Sequence, residues 1–106
     1  APTFMYQFNW RSRAMDGALG ATHSLELPFA FDNLDQAGVD FFIGPGEKPQ
    51  AVADTMHKVW SDFIKSGEPG WQRYDLTTRA TMMFDNEALL VEDPDSEERL
   101  AWSGIR

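Results

Sequence analysis

Two histidines, His23 and His57, carry the side chains in this 106-residue sequence whose protons move most readily near neutral pH. Such a ring can take a proton from a nucleophile and return it to a leaving group. His23 stands in the run Gly20-Ala21-Thr22-His23-Ser24-Leu25-Glu26, where the glycine three residues ahead gives the backbone freedom to turn. Glu26 follows at i+3. The pair supplies two metal ligands and no third, fewer than a zinc site needs, so a carboxylate supporting the histidine is the better reading of Glu26. By residue type alone, a histidine is more often an ordinary loop residue than a catalytic one. His57 lies on the flank of a helical pattern and reads as a surface histidine. Asp93-x-Asp95-x-Glu97 hints at a calcium loop but lacks the glycine at position six and the distal glutamate, so helix capping is the simpler role. None of the serines (12, 24, 61, 66, 96 and 103) sits in a Gly-x-Ser-x-Gly elbow, and there is no cysteine.

The elements that must hold these residues are legible in part. Phe4, Tyr6, Phe8 and Trp10 alternate with Met5, Gln7 and Asn9, which predicts a strand over Thr3 to Trp10. Arg11 to Thr22 reads as a loop, punctuated by Gly17 and Gly20. One or two helical turns are expected near Pro28, followed by an irregular stretch from Asp32 to Glu47. Pro49 to Ser66 is the clearest element. Val52, Met56, Val59, Trp60 and Phe63 form one apolar stripe at helical spacing, opposed by Asp54, Lys58, Ser61 and Lys65. Gly67 and Pro69 stop it. Trp60, Phe63, Trp71 and Tyr74 are expected as aromatic core beneath this helix. Thr81–Phe84 and Ala88–Val91 flank Asp85-Asn86-Glu87, which predicts a hairpin with a three-residue loop. Asp93 as N-cap and Pro94 at N1 would open a last helix. One strand, a few helices and a terminal hairpin do not close a two-layer core, and the first strand has no evident partner in the same chain.

Gly20 to Leu34, reading GATHSLELPFAFDNL, resembles the histidine motif of the type-B carboxylesterases, the family that includes cholinesterases and bacterial para-nitrobenzyl esterases. The family pattern is roughly G-A-x-H-x-x-E-L-P-F/Y-V-F-G-N-L, with Ala30 here in place of valine and Asp32 in place of glycine. Further blocks follow in order. Phe4–Phe8 is similar to the strand leading into the histidine loop. Val59–Pro69 resembles the family's W-x-x-F-A-x-x-G-x-P segment, Trp71–Tyr74 its W-P-x-Y, and Arg79–Asp85 the strand after it. The resemblance implies an α/β class, with residues 1–106 forming the C-terminal portion of an α/β-hydrolase domain and not a complete domain. It implies that His23 is the general acid–base of a Ser–His–acid triad hydrolysing carboxylic esters through an acyl-enzyme. Chain order in that fold is nucleophile, acid, then histidine, so serine and acid would lie outside this sequence, and the chain alone would be inactive. Phe29 and Phe31 are candidates for lining a substrate pocket near His23, with core packing as the alternative for each. The competing function is a non-catalytic, cholinesterase-like recognition module. The implied partners are a small-molecule ester and the remainder of the same hydrolase, or a second copy of this chain. No metal and no organic cofactor are implied.

Composition narrows the classes further. A net charge of −8 argues against nucleic acid, which needs clustered Lys and Arg, and against anionic membrane surfaces. No apolar run approaches the roughly 20 residues of a membrane span. Ala1 to Trp10 does not read as a signal peptide, having no basic region and being broken by Gln7 and Asn9. Eight Phe, four Trp and two Tyr are enough to dominate a small core.

Overall fold

A computed structural model describes residues 1–105. Three strands form one sheet: β1 (Met5–Phe8), β2 (Ala80–Phe84) and β3 (Ala88–Glu92). The helices are α1 (Leu27–Ala30), α2 (Val39–Ile43), α3 (Gln50–Ser66) and α4 (Ser96–Ala101). The hairpin expected around Asp85-Asn86-Glu87 is present, with Phe84 opposite Ala88 and Ala80 opposite Glu92.

The first strand departs from expectation in its pairing. β1 is not left without a partner in the chain: it runs parallel to β2, in register from Met5 opposite Thr81 to Phe8 opposite Phe84. Asn9 N–H donates to Phe84 O at 2.7 Å beyond the strand's end, and Tyr74 N–H donates to Thr3 O at 2.8 Å near its start. Parallel pairing needs a long crossover, and the connection from Asn9 to Arg79, with α3 inside it, provides one. The hairpin therefore continues the sheet instead of standing apart from it. The opposite edge of β1 has no strand partner among the described residues.

α3 runs over the predicted span, with Pro49 at its N-cap and Gly67 closing it in the left-handed region (φ 77°). Val52, Ala53 and Met56 are buried, Val59 and Trp60 are half-buried, and Phe63 is 46% exposed. The stripe thus loses cover toward its C-terminal end. The core lies under its first half, where Trp10, Leu25, Phe29, Leu34, Ile43, Met56 and Phe84 close together. Phe29 is fully buried, its ring 5.0 Å from Phe8 and 5.2 Å from Trp10. Burial on that scale is worth about 1.5–3 kcal/mol per large side chain. Of the expected aromatic core, Trp60, Phe63 and Trp71 meet Phe4 and Tyr6 along an open groove. Tyr74 lies apart, its hydroxyl accepting from Arg79 at 3.0 Å.

Two smaller elements also differ from their sequence signals. Asp32 to Glu47 is not wholly irregular, because α2 forms between Gly38 and Gly44; five residues are too few to show a helical period. The last helix begins at Ser96, with Asp95 at the cap position in a left-handed conformation (φ 58°) and no side-chain capping bond. Asp93 is drawn away from capping by Arg99, which donates to its carboxylate at 2.9 and 2.7 Å. A bidentate, charge-assisted pair is stronger than one cap hydrogen bond. The Arg99 hydrogen bonds also hold the Asp93 carboxyl below the usual carboxylate range, with Arg79 contributing.

Among the described residues, no helix is long and apolar enough to cross a membrane. Nor is there, among the described residues, a group of three or more His, Asp and Glu side chains that could hold a metal ion.

Candidate active site

His23 sits on a tight turn just ahead of α1, its side chain exposed. The turn is closed by Leu25 N–H donating to Thr22 O at 3.2 Å and Leu27 N–H donating to Ser24 O at 3.3 Å. Ser24 adopts φ +65°, a left-handed conformation that a non-glycine residue enters at a cost of roughly 1–2 kcal/mol. Strain of this kind persists only where the surroundings over-determine it. Here they do. Leu25 next to it is completely buried, and Phe29 one turn on is locked between Phe8 and Trp10. Two apolar anchors pull one side of the turn into the core and leave the imidazole on the outer side.

The base of the histidine loop is fixed from three directions. Ser12 is 2% exposed; its hydroxyl donates to Phe42 O at 2.7 Å and accepts from Ala14 N–H at 3.0 Å. Its own N–H donates to Gly20 O at 3.0 Å, three residues ahead of His23. Arg13 N–H donates to Ile43 O at 2.9 Å, and its guanidinium reaches Glu47 O at 2.6 Å while lying 5.4 Å from the Trp10 ring. On the far side, His57 of α3 makes a 3.0 Å bond from Nδ1 to Ala30 O at the end of α1. A carbonyl only accepts, so this bond requires the proton on Nδ1.

Glu26 does not bond to His23 among the described residues. It is half-buried, and its charge acts on Tyr6 of β1, whose phenol is held above its ordinary range first by burial and then by Glu26. Phe29 is core, not pocket wall, and Phe31 is 69% exposed. Neither lines the aromatic groove beside α3, nor the shallow one formed by Met15, Leu19, Phe41 and Phe42. Phe29 is thus core two residues into α1, while His23 and Phe31 are exposed at either end of that stretch and Glu26 is half-buried between them. An exposed imidazole on a rigid turn can shuttle a proton, but it needs a nucleophile and an orienting acid from elsewhere.

Asp32, where the family pattern has glycine, explains that glycine. Its φ is +50°, left-handed, and it ends α1. Aspartate tolerates this region better than most residues. Its carboxylate also accepts from Gln50 Nε2 at 2.7 Å, tying the end of α1 to the start of α3. Relief of strain and loss of one exposed hydrogen bond nearly cancel, each on the order of 1 kcal/mol. Asp32→Gly is therefore expected to leave thermal stability within about 1 kcal/mol of the parent. Asp32→Val, with the strain and no acceptor, is expected to lose about 1–2 kcal/mol in denaturant titrations. Equal losses in both variants would contradict this account.

No family model matches the chain. Among curated proteins, a para-nitrobenzyl esterase of Bacillus subtilis is 34% identical over 104 residues, 93% of this chain and 21% of that protein. A phenmedipham hydrolase of Pseudarthrobacter oxydans is 36% identical over 100 residues, 92% of this chain and 20% of that protein. The chain is homologous to the type-B carboxylesterases. It spans about a fifth of the length of the curated relatives it matches. Solved esterase structures agree. A para-nitrobenzyl esterase superposes on 94% of this chain and 21% of its own, with a TM-score of 0.81 and 34% identity. A carboxylesterase of Geobacillus stearothermophilus gives a TM-score of 0.81 at 33% identity, over 97% of this chain and 22% of its own. The α/β class and the assignment to a C-terminal portion of an α/β-hydrolase, both expected from the carboxylesterase blocks, hold.

Ser12 and His57 carry structural weight in this segment that the sequence did not announce. The exposure of His57 fits its place on a helix flank, but nothing in the local pattern points to the Ala30 carbonyl. Ser12 lies between two arginines in a run without periodicity.

Proposed function

We propose that this segment supplies the general acid–base histidine, His23, to a hydrolase of carboxylic esters working through a Ser–His–acid triad. The observation that carries this reading is the exposed imidazole on a strained turn anchored by Leu25 and Phe29, in a chain homologous to esterases. The serine and the acid would come from the remainder of the same hydrolase, of which residues 1–106 form a C-terminal portion. In the first half-reaction the serine hydroxyl adds to the ester carbonyl as His23 takes its proton. The tetrahedral intermediate collapses when His23 returns that proton to the leaving alkoxide, leaving an acyl-enzyme. Water, deprotonated by the same ring, then releases the acid. A small carboxylic ester is the substrate class. The first test is turnover of an activated aryl ester by the full-length protein; no turnover would remove the reading.

The uncovered surfaces support the rest of the hydrolase as a physical partner. The free edge of β1, with Met5 and Tyr6 each about 40% exposed, borders the groove of Phe4, Val59, Trp60, Phe63 and Trp71. Unpaired strand edges beside an apolar face template association. Isolated residues 1–106 are expected to show no burst and no turnover with an activated ester, and to elute from size exclusion as something other than one cooperative monomer. Mixing with the remaining polypeptide should give a complex. A monodisperse monomer with one sharp thermal transition would sink the expectation.

A further inference from the structure

We propose that Ser12 is a positioning residue for His23. This rests on His23 being the acid–base group, and it deepens that reading by naming what holds the histidine loop in register. Ser12 joins three stretches of chain through one residue. Its N–H holds Gly20 O, its hydroxyl donates to Phe42 O, and the same oxygen accepts from Ala14 N–H. A second, longer contact reaches Ile43 O at 3.5 Å. Ser12 is 2% and Ala14 8% exposed, so a lost hydroxyl is not simply replaced by bulk solvent at the Ala14 N–H. The backbone at Gly20 is left-handed (φ +59°) and begins the four-residue run that ends at His23. Gly20 has little else to hold it, beyond its own N–H donating to Gly17 O at 3.2 Å. Met15 and Asp16, between the two bonded points, are both left-handed (φ 52° and 56°), so this stretch is not kept in place by helical preference. The Ser12 hydroxyl thus fixes the 12–14 backbone against Phe42, the Ser12 N–H passes that position on to Gly20 where the loop leaves the core, and the loop sets where the imidazole stands.

Removing the oxygen leaves the Ala14 N–H and the Phe42 carbonyl without that partner, and the 12–20 segment shifts to rehydrate them. A shift of about 1 Å at a proton-transfer group is enough to cost about 100-fold in rate. The test uses the full-length hydrolase, with active sites counted by a fluorophosphonate that reacts covalently with the serine. Ser12→Ala is expected to lower kcat per titrated site about 10- to 100-fold, with KM within about threefold. Ser12→Thr, which keeps the hydroxyl, is expected to recover most of that loss. A purely structural role would reduce the number of titrated sites and leave kcat per site at the parent value, and that result would overturn the proposal. If Ser12→Ala gives no soluble enzyme, Ser12→Cys, which keeps the shape with a much weaker hydrogen-bonding group, is read by the same per-site rate and the same criterion. A parent-like rate in His23→Ala would instead bring down the acid–base reading itself, so the two failures are distinguishable.

Discussion

His23→Ala in the full-length hydrolase is expected to lower kcat for a short-chain aryl ester by about 10⁴- to 10⁶-fold. The size follows from the double use of the ring. In the proposed triad it would accept a proton when the serine attacks and donate one when the alkoxide leaves, so its loss would remove both steps together. Stability should hardly change. The His23 side chain is exposed and has no hydrogen bond among the described residues, while the turn is anchored through Leu25 and the backbone. A large drop in kcat with a parent-like melting curve is thus the signature of chemistry rather than unfolding. A mutant that kept more than about a tenth of the parent kcat would take His23 out of the mechanism.

The contrast between His23 and its supports shows what the sequence could carry. His23 lies inside a contiguous run that resembles a family motif, and α3 shows five apolar residues on one face followed by Gly67. Both are local; α3 stands where expected, and His23 lies on the turn just ahead of α1. The hairpin is local as well, and its loop falls on Asp85-Asn86-Glu87. What was illegible is what depends on meeting across the chain. Ser12 and Phe42 are 30 residues apart, and neither residue type signals the other. Nothing local to β1 shows its partner, which lies beyond the long connection that contains α3. The local rule ranks aspartate high as a cap at position 93, but Arg99, six residues on, offers a stronger bond. Phe29 is a different case. Its type fitted pocket and core equally, and only the positions of Phe8 and Trp10 place it in the core.

Gly44 leads to the second large effect, again through a long-range meeting. Its backbone (φ 93°, ψ −176°) lies in a region open essentially to glycine alone. A Cβ placed there would stand 2.2 Å from Ala14 N, 2.4 Å from Arg13 C and 2.9 Å from Ala14 Cα. These are backbone atoms, so no side chain can rotate away. The backbone is not free to retreat either, since Arg13 N–H is bonded to Ile43 O and the Ala14 N–H to the Ser12 hydroxyl. Gly44→Ala must therefore push the 12–14 segment outward, and with it the base of the histidine loop. The expected loss is about 3–5 kcal/mol of stability, together with reduced turnover in whatever enzyme still folds. Gly38 at the other end of α2 is the control. Its φ is +91°, but a Cβ there meets nothing within 4 Å. Gly38→Ala thus carries the backbone strain without the clash and is expected to cost only about 1–2 kcal/mol, with turnover intact. Denaturant titrations of both variants in the full-length protein separate the two contributions. If Gly44→Ala were no worse than Gly38→Ala, the close approach between α2 and the Arg13–Ala14 backbone would not be what holds the histidine loop.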